Sequence, residues 1–388
     1  MRPDLSPGRR ARLVGKDCAA HRFAVSAYPL PRRLPDAQGP PAGHARTRRT
    51  ACVALRGRVA SQVRRARGPQ NELNEATEIP DRLRGPTDGD LVYVERCAVC
   101  AGREFLRHHY DAPYEYLRCA NCRLVHTSPR LRDDATIRVY NHEYWQNPEP
   151  RNCGYADYRN DESRYIKTFK RRLAAIEGLI PDRGTALDIG CATGFFLKVL
   201  SDMGWEVHGI EPSVAIAEWA YRRFGIENIH AGTLDSAPLE NSTFDLVTLW
   251  DVIEHVPDPK GLLRALHRHV ASDGLLVIET QNVDSLAARL LGRRWHHFKH
   301  LEHLYHFNPH SIRFLLETSG FEVIYLSSRN AGKYVTFGFA RERVRRYSRL
   351  ASGFLDLLSS LDESQFYVNP HDEMIVIARR STPSNDAD

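Results

Sequence analysis

Two glycines and two acids between residues 188 and 211 have the types and the spacing of a nucleoside-binding site. Gly190 and Gly194 follow Asp188 closely, so the backbone can turn tightly there and approach a ligand without a Cβ in the way. Glu211 lies 17 residues past Gly194, where the end of a second parallel strand can offer its carboxylate to two ribose hydroxyls. The pattern predicts a strand, a glycine turn, a helix and a second strand that together hold a nucleoside.

A parallel sheet is needed to position these residues. Apolar runs separated by turns and amphipathic stretches predict seven strands, at residues 185–189, 206–211, 228–231, 244–250, 275–280, 322–326 and 374–378. Helical spacing of apolar residues predicts helices within 161–180 and over 194–203, 212–220 and 344–361. We therefore expect an α/β fold whose strand ends form a ligand crevice.

The turn Asp188-Ile-Gly-Cys-Ala-Thr-Gly194 resembles the first motif of the class I S-adenosylmethionine-dependent methyltransferases. A second match is Asp251-Val-Ile-Glu-His-Val256, at the exit of the fourth predicted strand. The resemblance covers residues 185 to 378, about half of the chain, and departs from the family at Ala192, where a glycine is usual. It implies a Rossmann-like, seven-stranded methyltransferase sheet whose last two strands are antiparallel, with S-adenosylmethionine as cofactor.

The resemblance also implies which residues serve the cofactor and the reaction. Cofactor contacts are expected from Asp188, Gly190, Cys191, Ala192, Gly194, Glu211, Thr233, Leu234, Asp235, Trp250 and Asp251. Asp235 has two interpretations, as a partner of the adenine amino group or as the cap of a turn. His255 is the first candidate for a catalytic base because an imidazole titrates near neutral pH, and His303 and Glu254 are further candidates.

Four of the eight cysteines form two Cys-x-x-Cys pairs, Cys97 with Cys100 and Cys119 with Cys122. The 18 residues between the pairs match the two-knuckle spacing of a structural zinc ribbon, in which four thiolates close the metal shell. Two disulfides or a redox pair are the alternatives. A ribbon followed by a methyltransferase core is similar to bacterial methyltransferases of secondary and sugar metabolism. This implies a small-molecule acceptor, such as a sugar.

Histidines recur every three residues at His297, His300, His303 and His306, with His296 beside the series. The spacing is close to one face of a helix, and a metal site is one interpretation. The resemblance to the family favours another, in which this stretch walls the substrate pocket. Glu302, His303 and His306 are then the candidates for substrate contact or proton transfer.

Charge and composition divide the chain into four parts. Residues 1–70 hold 16 Lys and Arg against three acids, so the rest of the chain carries a net charge of −7 although the whole carries +6. Rich in Pro, Gly and Ala, this segment is expected to be disordered, as a tail without a role, a basic arm or a transit peptide. The expected boundaries are 1–88 for this extension, 89–130 for the zinc ribbon, 131–180 for a helical linker or cap, and 181–388 for the methyltransferase domain.

Two other functions remain open at the level of sequence. An RNA-directed methyltransferase would use the ribbon and the basic arm, but the negative charge of residues 71–388 argues against nucleic acid as a partner. A non-catalytic protein could have kept the cofactor site and lost turnover. An oxidoreductase lacks the third glycine of its fingerprint. Without an apolar run long enough to span a bilayer or a secretory leader, a cytoplasmic protein with no membrane partner is expected. The acceptor atom and the oligomeric state are not readable from the residues.

Overall fold

The computed structural model describes residues 88–139, 158–347, 355–356 and 358–381. The expected N-terminal extension over 1–88 therefore lies outside the described residues except for its last one, as does most of the first half of the expected linker. The described residues belong to one compact unit. None of their helices combines the length and the apolar character that a bilayer crossing requires.

Residues 88–139, which we call the cysteine module, form a small antiparallel structure. Its elements are β1 (Leu91–Val92), β2 (Phe105–Asp111), β3 (Tyr114–Cys119), β4 (Val125–Ser128), β5 (Arg130–Leu131) and the short helix α1 (Asp133–Thr136). Strands β2, β3 and β4 pair in sequence order, and β1 pairs with β5.

The rest of the described chain, from residue 158, is an α/β domain. Its first half contains α2 (Glu162–Ile176), β6 (Thr185–Ile189), α3 (Phe195–Asp202), β7 (Glu206–Glu211), α4 (Val214–Phe224), β8 (Ile229–Ala231), β9 (Phe244–Trp250) and α5 (Pro259–His267). Its second half contains β10 (Val270–Gln281), α6 (Leu286–Leu291), β11 (Tyr305–His306), α7 (Pro309–Glu317), β12 (Phe321–Ser327), β13 (Lys333–Thr336), α8 (Phe337–Tyr347), β14 (Gln365–Val368) and β15 (Glu373–Arg380).

Seven of these strands form one sheet in the order β12-β15-β10-β9-β6-β7-β8. Strands β6 to β10 are parallel to one another, and β15 runs antiparallel to both of its neighbours. The sheet confirms the expected fold class, including the closing antiparallel pair. Strand β10 begins five residues before its predicted start, because residues 270 to 274 continue towards β9 through an irregular register.

The two faces of this sheet are buried by different parts of the chain. Helices α2 and α3 cover one face, with Phe169, Leu173 and Phe196 in its core. The other face packs against α5, α7 and the cysteine module, so Cys97 and Leu124 share a buried cluster with the sheet residue Leu187. Small modules with few apolar residues gain stability from such burial, and here the sheet supplies it.

The segment 295–307, which we call the histidine segment, is not a helix, although the three-residue spacing of its histidines is close to one helical face. It contains turns and ends in β11, which pairs with β4 and so adds a fourth strand to the sheet of the cysteine module. Much of the helix predicted over 344–361 lies outside the described residues, since residues 348–354 and 357 are not among them. Of the part that is described, α8 (Phe337–Tyr347) contains residues 344–347, residues 355–356 are helical, and Ser359–Leu361 form a 3-10 helix.

Candidate functional site

The glycine turn after β6 has a backbone that few residues can adopt. Gly190 has a φ of +69°, and a Cβ built on it would lie 2.7 Å from Val252 Cγ2. Ala192 has a φ of +48°, a left-handed value that carries a steric cost for alanine and accounts for the glycine that is usual there. Gly194, with a φ of +72°, precedes the first residue of α3. The turn therefore depends on small residues.

Glu211 ends β7 beside this turn and is held by two backbone amides. Ala192 N donates to Oε2 at 3.0 Å, and Ser213 N donates to Oε1 at 2.8 Å. Burial raises the pKa of Glu211 to about 7, although both hydrogen bonds act in the other direction. The carboxylate is thus oriented before any ligand arrives and titrates near neutral pH.

Asp188 lies on the neighbouring strand and is buried as well. Thr248 Oγ1 donates to its Oδ1 at 2.6 Å. Burial raises the pKa of Asp188 to about 8, and the nearby Glu211 adds to the shift while the hydrogen bond opposes it. Two carboxyl groups with raised pKa values therefore lie at the carboxyl ends of adjacent parallel strands.

These residues line a cavity of about 1050 Å³. Ten of the eleven residues expected to bind the cofactor lie on its wall, from Asp188 at β6 to Asp251 at the exit of β9. Gly194 is the exception, because its Cα faces α4, where an added Cβ would lie 3.2 Å from the Ala220 Cβ. The structure gives Gly194 a packing role instead.

The turn after β8 also reaches the cavity. Thr233, Leu234 and Asp235 all line it. Thr233 and Ser236 form a reciprocal capping box around the short 3-10 helix Leu234–Ser236. The cap of this turn is therefore Thr233 and not Asp235, whose side chain belongs to the cavity wall.

Beneath the exit of β9, charged side chains form a buried cluster. Arg172 Nη2 lies 3.1 Å from Glu373 Oε2 and 3.3 Å from Glu279 Oε1, and Lys333 pairs with Glu373. Burial raises the pKa of Glu279 well above its usual range. Burial acts on Glu373 too, but Lys333 and Arg172 outweigh it and lower that pKa. Glu373 is thus the main anionic partner of both cations.

Of the candidates for acid–base chemistry, His255 and His303 line the cavity and Glu254 does not. The two rings are 4.7 Å apart and nearly perpendicular. His255 Nδ1 lies 3.0 Å from the carbonyl oxygen of Glu302, and desolvation lowers the pKa of His255 to about 4. The ring is therefore neutral at pH 7, with Nδ1–H donating to that carbonyl, so Nε2 is the nitrogen that can take up a proton.

Glu254 is fully buried and accepts a hydrogen bond from Thr280 Oγ1 at 3.0 Å. Burial raises its pKa well above the usual range, and Glu254 does not line the cavity. Glu302 and His306 are buried and do not line it either. Glu302 pairs with Lys299, and His306 lies 3.3 Å from Thr127 Oγ1. The structure therefore places the catalytic candidate Glu254 and the substrate-contact candidates Glu302 and His306 off the cavity wall.

The cysteine module brings its four predicted ligands together. The sulfur atoms of Cys97, Cys100, Cys119 and Cys122 all lie within 4.8 Å of one another, and no disulfide joins them. The two knuckles have the same backbone: Ala101 N donates to Cys97 O and Arg123 N to Cys119 O, and both donors have positive φ. His126 Nε2 lies 3.3 Å from Cys97 Sγ. Four sulfurs in this compact arrangement suit a tetrahedral metal ion.

The matched family and its relatives agree with this geometry. Residues 158–326 match the family model described as a methyltransferase domain. This stretch contains the glycine turn and six of the seven strands of the sheet. A ubiquinone biosynthesis O-methyltransferase of Xanthomonas oryzae pv. oryzae is 31% identical over 139 residues, which cover 29% of this chain and 54% of that protein. The mitochondrial ubiquinone biosynthesis O-methyltransferase of Schizosaccharomyces pombe is 33% identical over 111 residues, covering 27% and 40%. The chain thus spans about half the length of these relatives or less.

Among solved structures, a similar chain is an S-adenosylmethionine-dependent methyltransferase of Thermotoga maritima, titled a possible histamine N-methyltransferase. It is 20% identical, with a TM-score of 0.39, and the match covers 57% of this chain and 95% of that one.

Several residues on this cavity were not predicted. Arg172 and Lys333 line it, as do Asp133 and Ile137 of the cysteine module. Arg172 had a readable signal, because it lies on the buried stripe of α2 with Phe169 and Ile176, where an arginine is rare without a partner. The other unpredicted residues had no signal in the sequence, because they reach the cavity only through the pairing of distant strands and the packing of the cysteine module on the sheet.

Proposed function

We propose that this protein transfers a methyl group from S-adenosylmethionine to a small molecule bound in the same cavity. The observation that carries the proposal is the preorganised Glu211 carboxylate beside the glycine turn, on the wall of the cavity. The match to the methyltransferase family supports the same reaction class. A cavity of about 1050 Å³ is at the upper end of small-molecule sites, roughly 300–1,000 Å³, and offers room for cofactor and acceptor together.

The residues at the cavity fit this cofactor. Glu211 holds its two oxygens on backbone amides and can accept from two vicinal hydroxyls, as a ribose presents. Gly190 lets the backbone come close, because a side chain would meet Val252. Asp235 and Leu234 offer a polar and an apolar contact for a purine ring. When bound, the cofactor supplies a methyl group that is already electrophilic on a sulfonium.

Residues of the chain orient the acceptor and take up its proton. Orientation of the acceptor behind the methyl group supplies most of the acceleration in such a displacement. His255 can accept the proton of an acceptor hydroxyl at Nε2, because Nδ1 is fixed by the Glu302 carbonyl and the neutral ring dominates at pH 7. His303, edge-to-face with it, lies where it can contact the acceptor. The names of the curated relatives support an oxygen as the methylated atom.

Calorimetric titration of the full chain with S-adenosylhomocysteine tests the cofactor assignment. We expect S-adenosylhomocysteine to bind, and we expect Glu211→Gln to weaken that binding at least tenfold. A carboxylate accepts hydrogen bonds at both oxygens, whereas the amide of glutamine accepts only at its one oxygen. Glu206→Gln is the matched control, since Glu206 lies exposed at the other end of β7. The affinity of this variant for S-adenosylhomocysteine should be unchanged. Binding of NAD but not of S-adenosylhomocysteine, or equal losses in both variants, would refute the assignment.

For the four cysteines we propose a structural Zn²⁺ ion. Four thiolates close a tetrahedral shell and leave no open position for catalysis. The N–H of His126, near Cys97 Sγ, is placed to donate to a coordinated thiolate as outer-shell support. Because the module packs on the sheet and on the histidine segment, the ion would also stabilise one wall of the cavity.

Metal analysis of Cys97→Ser tests this assignment. We expect the loss of one zinc ion per chain and increased protease sensitivity of residues 91–130. Cys191→Ser is the control, because Cys191 is buried beside the glycine turn and outside the cluster. Unchanged zinc content in Cys97→Ser would exclude the ribbon.

A further inference from the structure

A second group of metal-binding side chains lies at the cavity, away from the cysteines. It consists of His296, His297 and Asp372, whose nearest nitrogen and oxygen atoms all lie within 4.8 Å of one another. His297 and Asp372 are only 5% and 2% exposed, and both histidines line the cavity. None of the three was assigned a role in cofactor binding or proton transfer above.

One nitrogen atom in this group is buried without a hydrogen bond among the described residues. His297 Nε2 is buried, and among the described residues it has no hydrogen-bond partner. Its neighbours are Asp372 Oδ2 at 3.8 Å and Glu373 Oε1 at 3.6 Å, both beyond hydrogen-bond length. A buried imidazole nitrogen left without a partner costs free energy, so its position calls for a ligand.

The carboxylate of Asp372 is oriented towards the two rings. Trp295 Nε1 donates to Oδ2 at 2.9 Å, and the same oxygen lies 3.9 Å from His296 Nδ1. Glu373 is not available in the same way, because Lys333 and Arg172 already pair with its two oxygens. The available donor set is therefore two imidazoles and one carboxylate.

We propose that His296, His297 and Asp372 bind a divalent transition-metal ion. Two imidazoles with one carboxylate suit Zn²⁺, Fe²⁺ or Co²⁺ and leave coordination positions open. Bonds of about 2.0–2.2 Å hold ligand atoms roughly 3.0–3.5 Å apart. The distances from Asp372 Oδ2 to His296 Nδ1 and His297 Nε2, 3.9 and 3.8 Å, need to shorten by only about half an ångström to reach that range. The hydrogen bond from Trp295 is the outer-shell support that such carboxylate ligands usually have.

The open positions lie on the cavity side, because both histidines line it. An oxygen of the acceptor could complete the shell there, which would position the acceptor and favour its deprotonation. This last step rests on the proposed function, whereas the metal site itself does not.

Counting zinc on the full chain tests the site. The protein is stripped with a chelator, saturated with Zn²⁺, desalted and analysed by mass spectrometry of the metal. We expect two ions per chain, one on the cysteine cluster and one here, and about one in His297→Ala and in Asp372→Asn. His300→Gln is the matched control from the same segment, since its ring stacks on Tyr114, and should keep two.

Asp372→Asn guards against a trivial loss of fold, because an amide oxygen can still accept from Trp295. Its circular dichroism and its affinity for S-adenosylhomocysteine should match the unaltered protein. In addition, Co²⁺ added to protein whose cysteine cluster already holds Zn²⁺ should give weak visible bands without sulfur charge transfer, and these should vanish in Asp372→Asn. Two ions retained in that variant, or a single ion in the unaltered chain, would overturn the site. Failure of methyl transfer in a chain that holds both ions would instead count against the proposed function.

Discussion

The glycine-turn region, residues 185–252, and the histidine segment, residues 295–307, form two walls of one cavity, yet they are organised differently. In the first, each key group is positioned by its own strand or by the next one, as Glu211 is by the amides of Ala192 and Ser213. In the second, the positions depend on a distant part of the chain, because Tyr305 pairs with His126 and Thr127 Oγ1 donates to the carbonyl of His303. The difference separates a locally encoded wall from one built by docking.

The comparison suggests that the two walls have different functions. The locally encoded wall has the features that a cofactor needs, and the docked wall carries the imidazoles that an acceptor or a metal ion would contact. Changes on one wall should therefore leave the function of the other largely intact. His255 is the residue where the walls meet, because it follows β9 and its Nδ1 contacts the carbonyl of Glu302.

The largest effect is expected from His255→Ala. Turnover should fall by roughly 10²–10⁴-fold, the usual contribution of a general base, while affinity for S-adenosylhomocysteine changes by less than about threefold. Because the pKa of His255 is lowered to about 4, the ring is neutral from pH 6 to 8, and turnover should show no rise with a midpoint near 6.5 in that range.

Single-turnover transfer of a labelled methyl group, with calorimetry beside it, measures both quantities. His208→Ala is the control, because His208 lies on β7 and does not line the cavity. Equal losses of turnover and affinity in His255→Ala would mean that the two walls are not separable at this residue.

The same distinction explains what could be predicted from sequence. The sheet was readable because each strand is an apolar run with its own turn, and the positions of Gly190 and Glu211 follow from strand exits. The spacing of the histidine segment did not show which side chains would reach the cavity, because His300 stacks on Tyr114 whereas His303 faces the cavity. The position of Glu254 was not readable either. Its motif places it near the strand exit, but its side chain is buried and accepts a hydrogen bond from Thr280 instead of lining the cavity. Contacts of this kind have no local signature.

A smaller effect should appear in the pH dependence of cofactor binding. Glu211 accepts hydrogen bonds from ribose hydroxyls as a carboxylate, and burial raises its pKa to about 7. Affinity for S-adenosylhomocysteine should therefore rise as the pH increases from 6 to 8, by at most about tenfold, because the ionised fraction rises over that range. Calorimetry at several pH values measures it. The component centred near pH 7 should be missing in Glu211→Gln, and its persistence there would assign the titration to another group, such as Asp188.

The smallest expected effect tests how local the first wall is. Ala192 has a φ of +48°, which costs an alanine roughly 1–2 kcal/mol, whereas a glycine costs about 0.5–1 kcal/mol through its greater freedom when unfolded. Ala192→Gly should therefore stabilise the chain by up to about 1 kcal/mol, visible as a rise of about one degree in Tm. Cofactor affinity should not change, because the amide that donates to Glu211 is kept.

Ala186→Gly, in the buried middle of the sheet, is the control, and it should lower the stability of the chain. There the substitution only removes a buried methyl group and adds freedom to the unfolded chain. Equal destabilisation in both variants would mean that the turn is held by its surroundings and not by its own backbone.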